Sequence, residues 1–222
     1  MFTAEANRAA AANPKDERIP TWEVVYHHLN GEYDTAVRQV RGIIARSPLQ
    51  WPTHLYLGDL LREQGDTAGA IREESRILEV QPGHGAALGS VARAYLDAGD
   101  LPKARQTIEL ADEVIRKTYR IRFPRALLLA LEHKREEAFR EMDSGMEAYA
   151  GAHVFAPLQA AEIYAVLGDS DKALGWMERA VRMGDDREDW FRRDPHLASI
   201  RQNPKFEQML ASVAYRRRQR PR

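Results

Sequence analysis

The sequence predicts an all-α fold, a solenoid of stacked antiparallel helix pairs, and three observations predict it. Gly31, Gly65 and Gly99 stand 34 residues apart. Ala36, Ala70, Ala104 and Ala138 keep the same 34-residue step, as do Pro14, Pro48 and Pro82. Ala173 follows Ala138 by 35 residues, and Gly168 precedes Ala173 by the same five residues that separate each earlier glycine from its alanine. Three residue types sharing one period in one phase mark an internal repeat, and repeats of this length stack into arrays.

Before the first full unit, residues 1–16 carry Pro14 in the phase of Pro48. Residues 3–13 therefore read as the second helix of a pair whose first helix is missing, either a cap or the remnant of a longer array. The full units fall at 17–50, 51–84, 85–118, 119–152 and, after one inserted residue, 154–187. In all but the fourth, glycine at position 15 supplies the positive φ that ends the first helix. The next residue caps the second helix: Asp66, Asp100 and Asp169 are good N-caps and Glu32 is a weaker one. Small residues at position 20 (Ala36, Ala70, Ala104, Ala138, Ala173) let the two helices approach. Unit four departs from this pattern. His133-Lys134 replaces the Gly-Asp turn and Gly145 falls in the second helix. Proline is tolerated only in a helix's first turn, so Pro124 predicts a late start there and a preceding helix running to about Arg120.

The period ends in a cap, 188–215, and a basic tail, 216–222. Asp194-Pro195 and Asn203-Pro204 each pair an N-cap with proline at the first helical position. They predict a short helix over 195–201 and a longer one from 204 to about 216. Trp190, Phe191, Leu197, Ile200, Phe206, Met209 and Leu210 are expected to cover the last repeat, because a terminal unit must hide its apolar face.

Composition narrows the chemistry. The 222 residues hold 33 basic and 33 acidic side chains and no cysteine, which excludes disulfides, thiolate metal sites and a cysteine nucleophile. No apolar run approaches the roughly 18 residues of a membrane span, and no secretory signal opens the chain, so a cytoplasmic protein is expected. The Gly83–Gly89 stretch has the wrong spacing and follows a helix, unlike a dinucleotide loop. The seven histidines lack metal-site spacing. Asp185, Asp186, Glu188 and Asp189 read as a solvated loop. These readings lead to no cofactor, no metal, no catalytic residue and a protein that is not an enzyme.

The basic tail contributes Arg216, Arg217, Arg218 and Arg220 as an auxiliary contact for anions. At about 1 kcal/mol per arginine near an anionic surface, its five arginines give a Kd of only about 0.2 mM. No aromatic side chain lies among the arginines to stack bases, so nucleic acid is not the favoured partner.

Unit two, with HLYLGDLLREQGDTAGAIREESRILEVQP at its heart, resembles the tetratricopeptide repeat family. The match is carried by small residues at positions 8 and 20, large ones at 11, Gly at 15 and Pro at 32. The cap is similar to the module that follows such repeats in bacterial signalling proteins, including serine/threonine kinases, nucleotide cyclases and transcription activators. The resemblance implies a right-handed superhelix of about five helix pairs. It also implies a concave groove lined by positions 2, 5, 9 and 12 of each first helix. Those positions supply Arg18, Thr21, Val25 and His28, then Leu55, Asp59 and Arg62, then Arg93 and Leu96. They continue with Arg120, Phe123, Leu127 and Ala130, and with Phe155, Leu158, Glu162 and Ala165. Members that bind chaperone tails use Lys and Asn at positions 5 and 9; neither occurs here, so that role is not carried over.

The N-terminal half of this groove reads as polar, with Asp59 expected to pair with Arg93. The C-terminal half, around Phe123, Leu127, Phe155 and Leu158, reads as apolar. Such a groove suits an amphipathic peptide or helix. The expectation is a non-catalytic scaffold for a peptide or protein segment. The alternative is a homodimerising or regulatory module of a bacterial signalling or transcription system.

Overall fold

A computed structural model describes residues 18–115 and 118–219, with the side chains of 18–21 and 113–115 outside that description. The proposed N-terminal half-repeat over 3–13, the side chains of Arg18 and Thr21, and Arg220 lie outside the described residues. Five helix pairs follow one another: α1 (Arg18–Leu29) with α2 (Tyr33–Arg46), α3 (Trp51–Gln64) with α4 (Thr67–Val80), and α5 (Gly85–Asp97) with α6 (Leu101–Ile115). Next, α7 (Tyr119–Leu131) pairs with α8 (Arg135–Glu141) and α9 (Ser144–Ala152), and α10 (Ala156–Val166) with α11 (Ser170–Arg182). The cap is α12 (Glu188–Arg193), a 3₁₀ turn (Pro195–Ile200) and α13 (Pro204–Arg218).

Local chemistry sets these boundaries. Gly31, Gly65, Gly99 and Gly168 all have positive φ, between 71° and 96°, at the turn inside each regular pair. In unit four His133 holds the same place at φ 60°, a conformation that side-chain-bearing residues adopt at a cost. The Asp66, Asp100 and Asp169 carboxylates accept from Gly69, Lys103 and Lys172 N–H, as N-caps should. Glu32 makes no cap bond and instead meets His27 Nδ1 at 2.5 Å. The five alanines at position 20 are fully buried. Replacing one by a larger residue forces the helices apart.

Unit four corrects one expectation. α7 begins at Tyr119, after Thr118 with ψ 146°, and Pro124 sits inside it. The preceding helix does not run on to Arg120. Pro124 has no N–H to give the Arg120 carbonyl, and that carbonyl instead lies against Gly89 of α5, where a Cβ would come within 2.8 Å of it. Glycine at 89 thus makes room for the carbonyl that proline leaves free. The second helix of the unit is also split, because the Asp143 carboxylate accepts from Met146 N–H and starts α9 afresh.

The cap covers the last unit as expected, with Trp190, Phe191, Leu197, Ile200, Phe206 and Leu210 all buried and Met209 packed at their edge. It also does something the sequence did not show. The segment 185–196 turns back across the concave side and meets the first three units. Asp186 N–H donates to the Leu29 carbonyl at 2.7 Å, and Arg193 Nη2 donates to the Glu63 carbonyl at 3.0 Å. Asp185 and Asp186, expected in a solvated loop, are fully buried. Arg216, expected in a free tail, pairs with Asp186, and α13 continues through Arg218. Charge density alone cannot distinguish a solvated acidic run from one folded onto arginines far away in the chain. Among the described residues no helix is long and apolar enough to cross a membrane.

Candidate functional site

Helix pairs alternate in direction, so the first helices of successive units run parallel and place like positions side by side. α3, α5, α7 and α10 together wall a cavity of about 570 Å³ on the concave side. Trp51, at the start of α3, and Tyr119, at the start of α7, form its rim and are partly exposed. Tyr149 stacks on Tyr119 with ring centroids 3.9 Å apart and extends this aromatic edge. Deeper in, Leu55, Phe123 and Leu158 supply an apolar wall. Arg62, Glu63, Arg93, Glu162 and Arg187 supply the floor. Trp51 and Arg62 share one helix, so rim and floor are about 16 Å apart at 1.5 Å per residue.

The floor is closed by a buried ionic network. Arg187, fully enclosed, donates from Nη1 to Glu63 Oε1 at 2.5 Å and from Nε and Nη2 to Asp185 at 2.7 and 2.5 Å. His28 lies 2.8 Å from Glu63 through Nε2 and 2.9 Å from the Tyr56 hydroxyl through Nδ1. The Phe155 ring stacks on His28 at 5.0 Å, with the Arg187 guanidinium 5.3 Å from its centroid. Beside this cluster, Arg62 and Arg93 hold Asp97 at 2.5 and 2.8 Å, and Arg93 Nη1 is 2.7 Å from Glu162. His196 of the cap completes the set, with Nε2 2.9 Å from Asp97.

Burial opposes every one of these charges. At Glu63 it is outweighed by Arg187 and His28, and at Asp97 by Arg93 and Arg62, so both carboxyls stay well below the usual carboxylate range. Asp194 goes the other way. Burial and then the adjacent Glu162 push it well up, while Arg93 overcomes burial to keep Glu162 low. The same physics acts behind the wall on Glu74, a fully buried carboxyl that packs over Gly58. Neither of its oxygens finds a hydrogen-bond partner. Burial, then Asp59, pushes Glu74 well up.

The residues singled out in the sequence divide accordingly. His28, Leu55, Asp59, Arg62, Arg93, Phe123, Phe155, Leu158 and Glu162 all border the cavity. Leu127 does not: it is 1% exposed and belongs to the core, because α7 turns that face toward its neighbours. Val25 is half-buried on α1, away from the cavity wall. The expected Asp59–Arg93 pair is absent, since Arg93 is held by Asp97 and Glu162 while Asp59 has Arg62 at 3.5 Å. Polarity also runs along the helices, aromatic at the rim and ionic at the floor, rather than from the N-terminal to the C-terminal half. Sequence reasoning missed Trp51, Tyr119, Tyr149 and Arg187. Position 1 of units two and four, Trp51 and Tyr119, was a usable signal. Arg187 gave none, because its partner Glu63 lies 124 residues away.

Arg217 and Arg218 end α13, half-buried and exposed respectively, away from the cavity. Among the described residues no three histidine or acidic side chains form a cluster that could hold a metal ion.

Comparison with known proteins accords with this architecture. Tetratricopeptide repeat family models match residues 61–120, 30–79 and 158–179. A thermophilic tetratricopeptide repeat protein of Thermus thermophilus is similar in structure, with a TM-score of 0.59 at 17% identity over 90% of this chain and 99% of that one. A tetratricopeptide repeat protein of Parabacteroides merdae is similar with a TM-score of 0.50 at 15% identity, over 94% of this chain and 90% of its own. At these identities the likeness concerns the fold. No curated protein matches the chain.

Proposed function

Since the chain belongs to the tetratricopeptide repeat family, whose fold is generally a protein–protein interaction scaffold, we propose that it holds a peptide or protein segment in the concave cavity without catalysing a reaction. One observation carries this reading: the protein fills the floor of its concave face with its own residues and leaves the aromatic-rimmed cavity above it open. Partly exposed aromatic side chains around an apolar recess are the usual anchors of protein recognition. A floor closed by Arg187 and its carboxylate partners favours a short segment entering from the rim over an amphipathic helix lying along the whole groove.

The test is to fill the cavity. Ser90 sits on its wall and is half-buried, so Ser90→Trp adds bulk there without emptying the core. The variant is first shown to unfold at a denaturant midpoint close to the parent's. Proteins retained from a lysate of the source organism are then compared. A protein bound by the parent and lost by the variant supports the reading. Identical retention by both sinks it, and a mass that rises with concentration in the parent alone assigns the cavity to a second copy of the chain.

A further inference from the structure

We propose that the occupant of the cavity is an extended segment with a basic side chain directed inward to Asp59 and an acidic side chain about three residues away, directed outward to Arg120. This rests on the cavity being the peptide site. Most of the charges that border the cavity are committed to one another: Arg62 and Arg93 to Asp97, Arg93 to Glu162, and Arg187 to Glu63 and Asp185. Two are not. Asp59 is 41% exposed, and its nearest cation, Arg62 at 3.5 Å, gives its other amino group to Asp97 at 2.5 Å. Arg120 is exposed and forms no ion pair among the described residues.

Their placement sets a polarity and a length. Arg120 is the second residue of α7, at the rim, whereas Asp59 is the ninth residue of α3, further down. Along the helix axes a seven-residue offset is about 10 Å, which an extended chain covers in about three residues; α5 lies between the two helices, and the long side chains of the segment and of Arg120 span that width. A cation that descends to Asp59 meets its partly exposed carboxylate, and the Tyr56 and Trp51 rings on the same helix offer it π faces. Between the two charges the apolar wall of Leu55, Phe123 and Leu158 receives uncharged side chains.

The test uses the full chain and blocked tetrapeptides, with calorimetry at low salt. The probes are acetyl-Arg-Leu-Leu-Glu-amide, its citrulline and glutamine analogues, and acetyl-Glu-Leu-Leu-Glu-amide. Replacing arginine by uncharged citrulline is expected to weaken binding about tenfold in the parent and less than about twofold in Asp59→Asn, since the lost partner is a charge-assisted hydrogen bond. Replacing glutamate by glutamine is expected to cost about threefold in the parent and nothing further in Arg120→Gln, as for an exposed ion pair. Tighter binding of the doubly acidic peptide, or a citrulline loss that persists in Asp59→Asn, overturns the assignment and leaves the cavity as the peptide site. Equal binding of every peptide to parent and Ser90→Trp overturns both readings, because the contact then lies elsewhere.

Discussion

At the floor of the cavity, three buried arginines are each clamped between carboxylates, and the segment that supplies one of them comes from the far end of the chain. At the rim, Trp51, Tyr119 and Arg120 stand partly exposed. The two regions share the same helices and lie only a few turns apart. The difference shows how one concave surface is divided between self-contact and recognition. Charges that satisfy one another hold the array in place, and groups left incomplete remain for a partner.

The strongest way to break this comparison is to cut the floor. Arg187→Ala strands Glu63 and Asp185 as buried charges without their guanidinium. The expected loss is about 3–5 kcal/mol, because breaking a buried pair leaves an uncompensated charge. Urea unfolding measures it, and a loss no larger than that of a surface substitution would show that the floor is not a structural latch.

The floor is also expected to govern acid stability. Glu63 and Asp97 have folded-state pKa values depressed below their unfolded ones. Such groups contribute stability that is fully present above the unfolded carboxyl pKa of about 4 and is lost as pH falls below it. Thermal melts between neutral and acid pH should therefore drop steeply below that point in the parent. In Arg187→Ala the drop should be shallower, since Glu63 has lost its main stabilising charge. Rim substitutions should leave its slope unchanged.

Glu74 sharpens the comparison from the opposite side. Its folded pKa is raised, so the folded chain keeps a proton that the unfolded chain has released. Stability from that proton is present below the unfolded pKa and declines as pH rises through the folded one. Glu74→Gln, which cannot ionise, should gain about 1–2 kcal/mol on the parent between acid and mildly alkaline pH, where each pKa unit is worth about 1.4 kcal/mol. A pH-independent difference would overturn the assignment of a neutral Glu74. The smallest effect belongs to the rim. Tyr119→Ala loses its stack on Tyr149 and should cost only about 0.5–1.5 kcal/mol in stability, while removing one of the anchors proposed for the partner.

The parts of this fold that could be read in the sequence are those set by neighbours in the chain. Glycine at the turn, aspartate after it and alanine at the close approach recur because each solves a local problem, and the periodic step exposes them. Asp194-Pro195 and Asn203-Pro204 placed the cap elements for the same reason. Pro124 misled, because the penalty for proline inside a helix was offset from another unit, by the space at Gly89. The cavity was half legible. Leu55, Phe123 and Leu158 followed from the groove positions that the family resemblance implies, but those positions also nominated Leu127, which packing turned inward. The floor was hidden, because Arg187 and Glu63 meet only after the whole superhelix has turned, and no local pattern carries that distance.

The hydrogen bond from Asp186 to Leu29 has one more consequence. Open arrays of this kind gain or lose units freely, since each unit touches only its neighbours. Here the first described helix and the segment after the fifth pair are fastened to each other, so the number of units between them is part of the design. Inserting a further unit between them would swing Leu29 out of reach of Asp186. A lineage built on this closure can vary its rim residue by residue, but it cannot readily change the number of units that the closure spans.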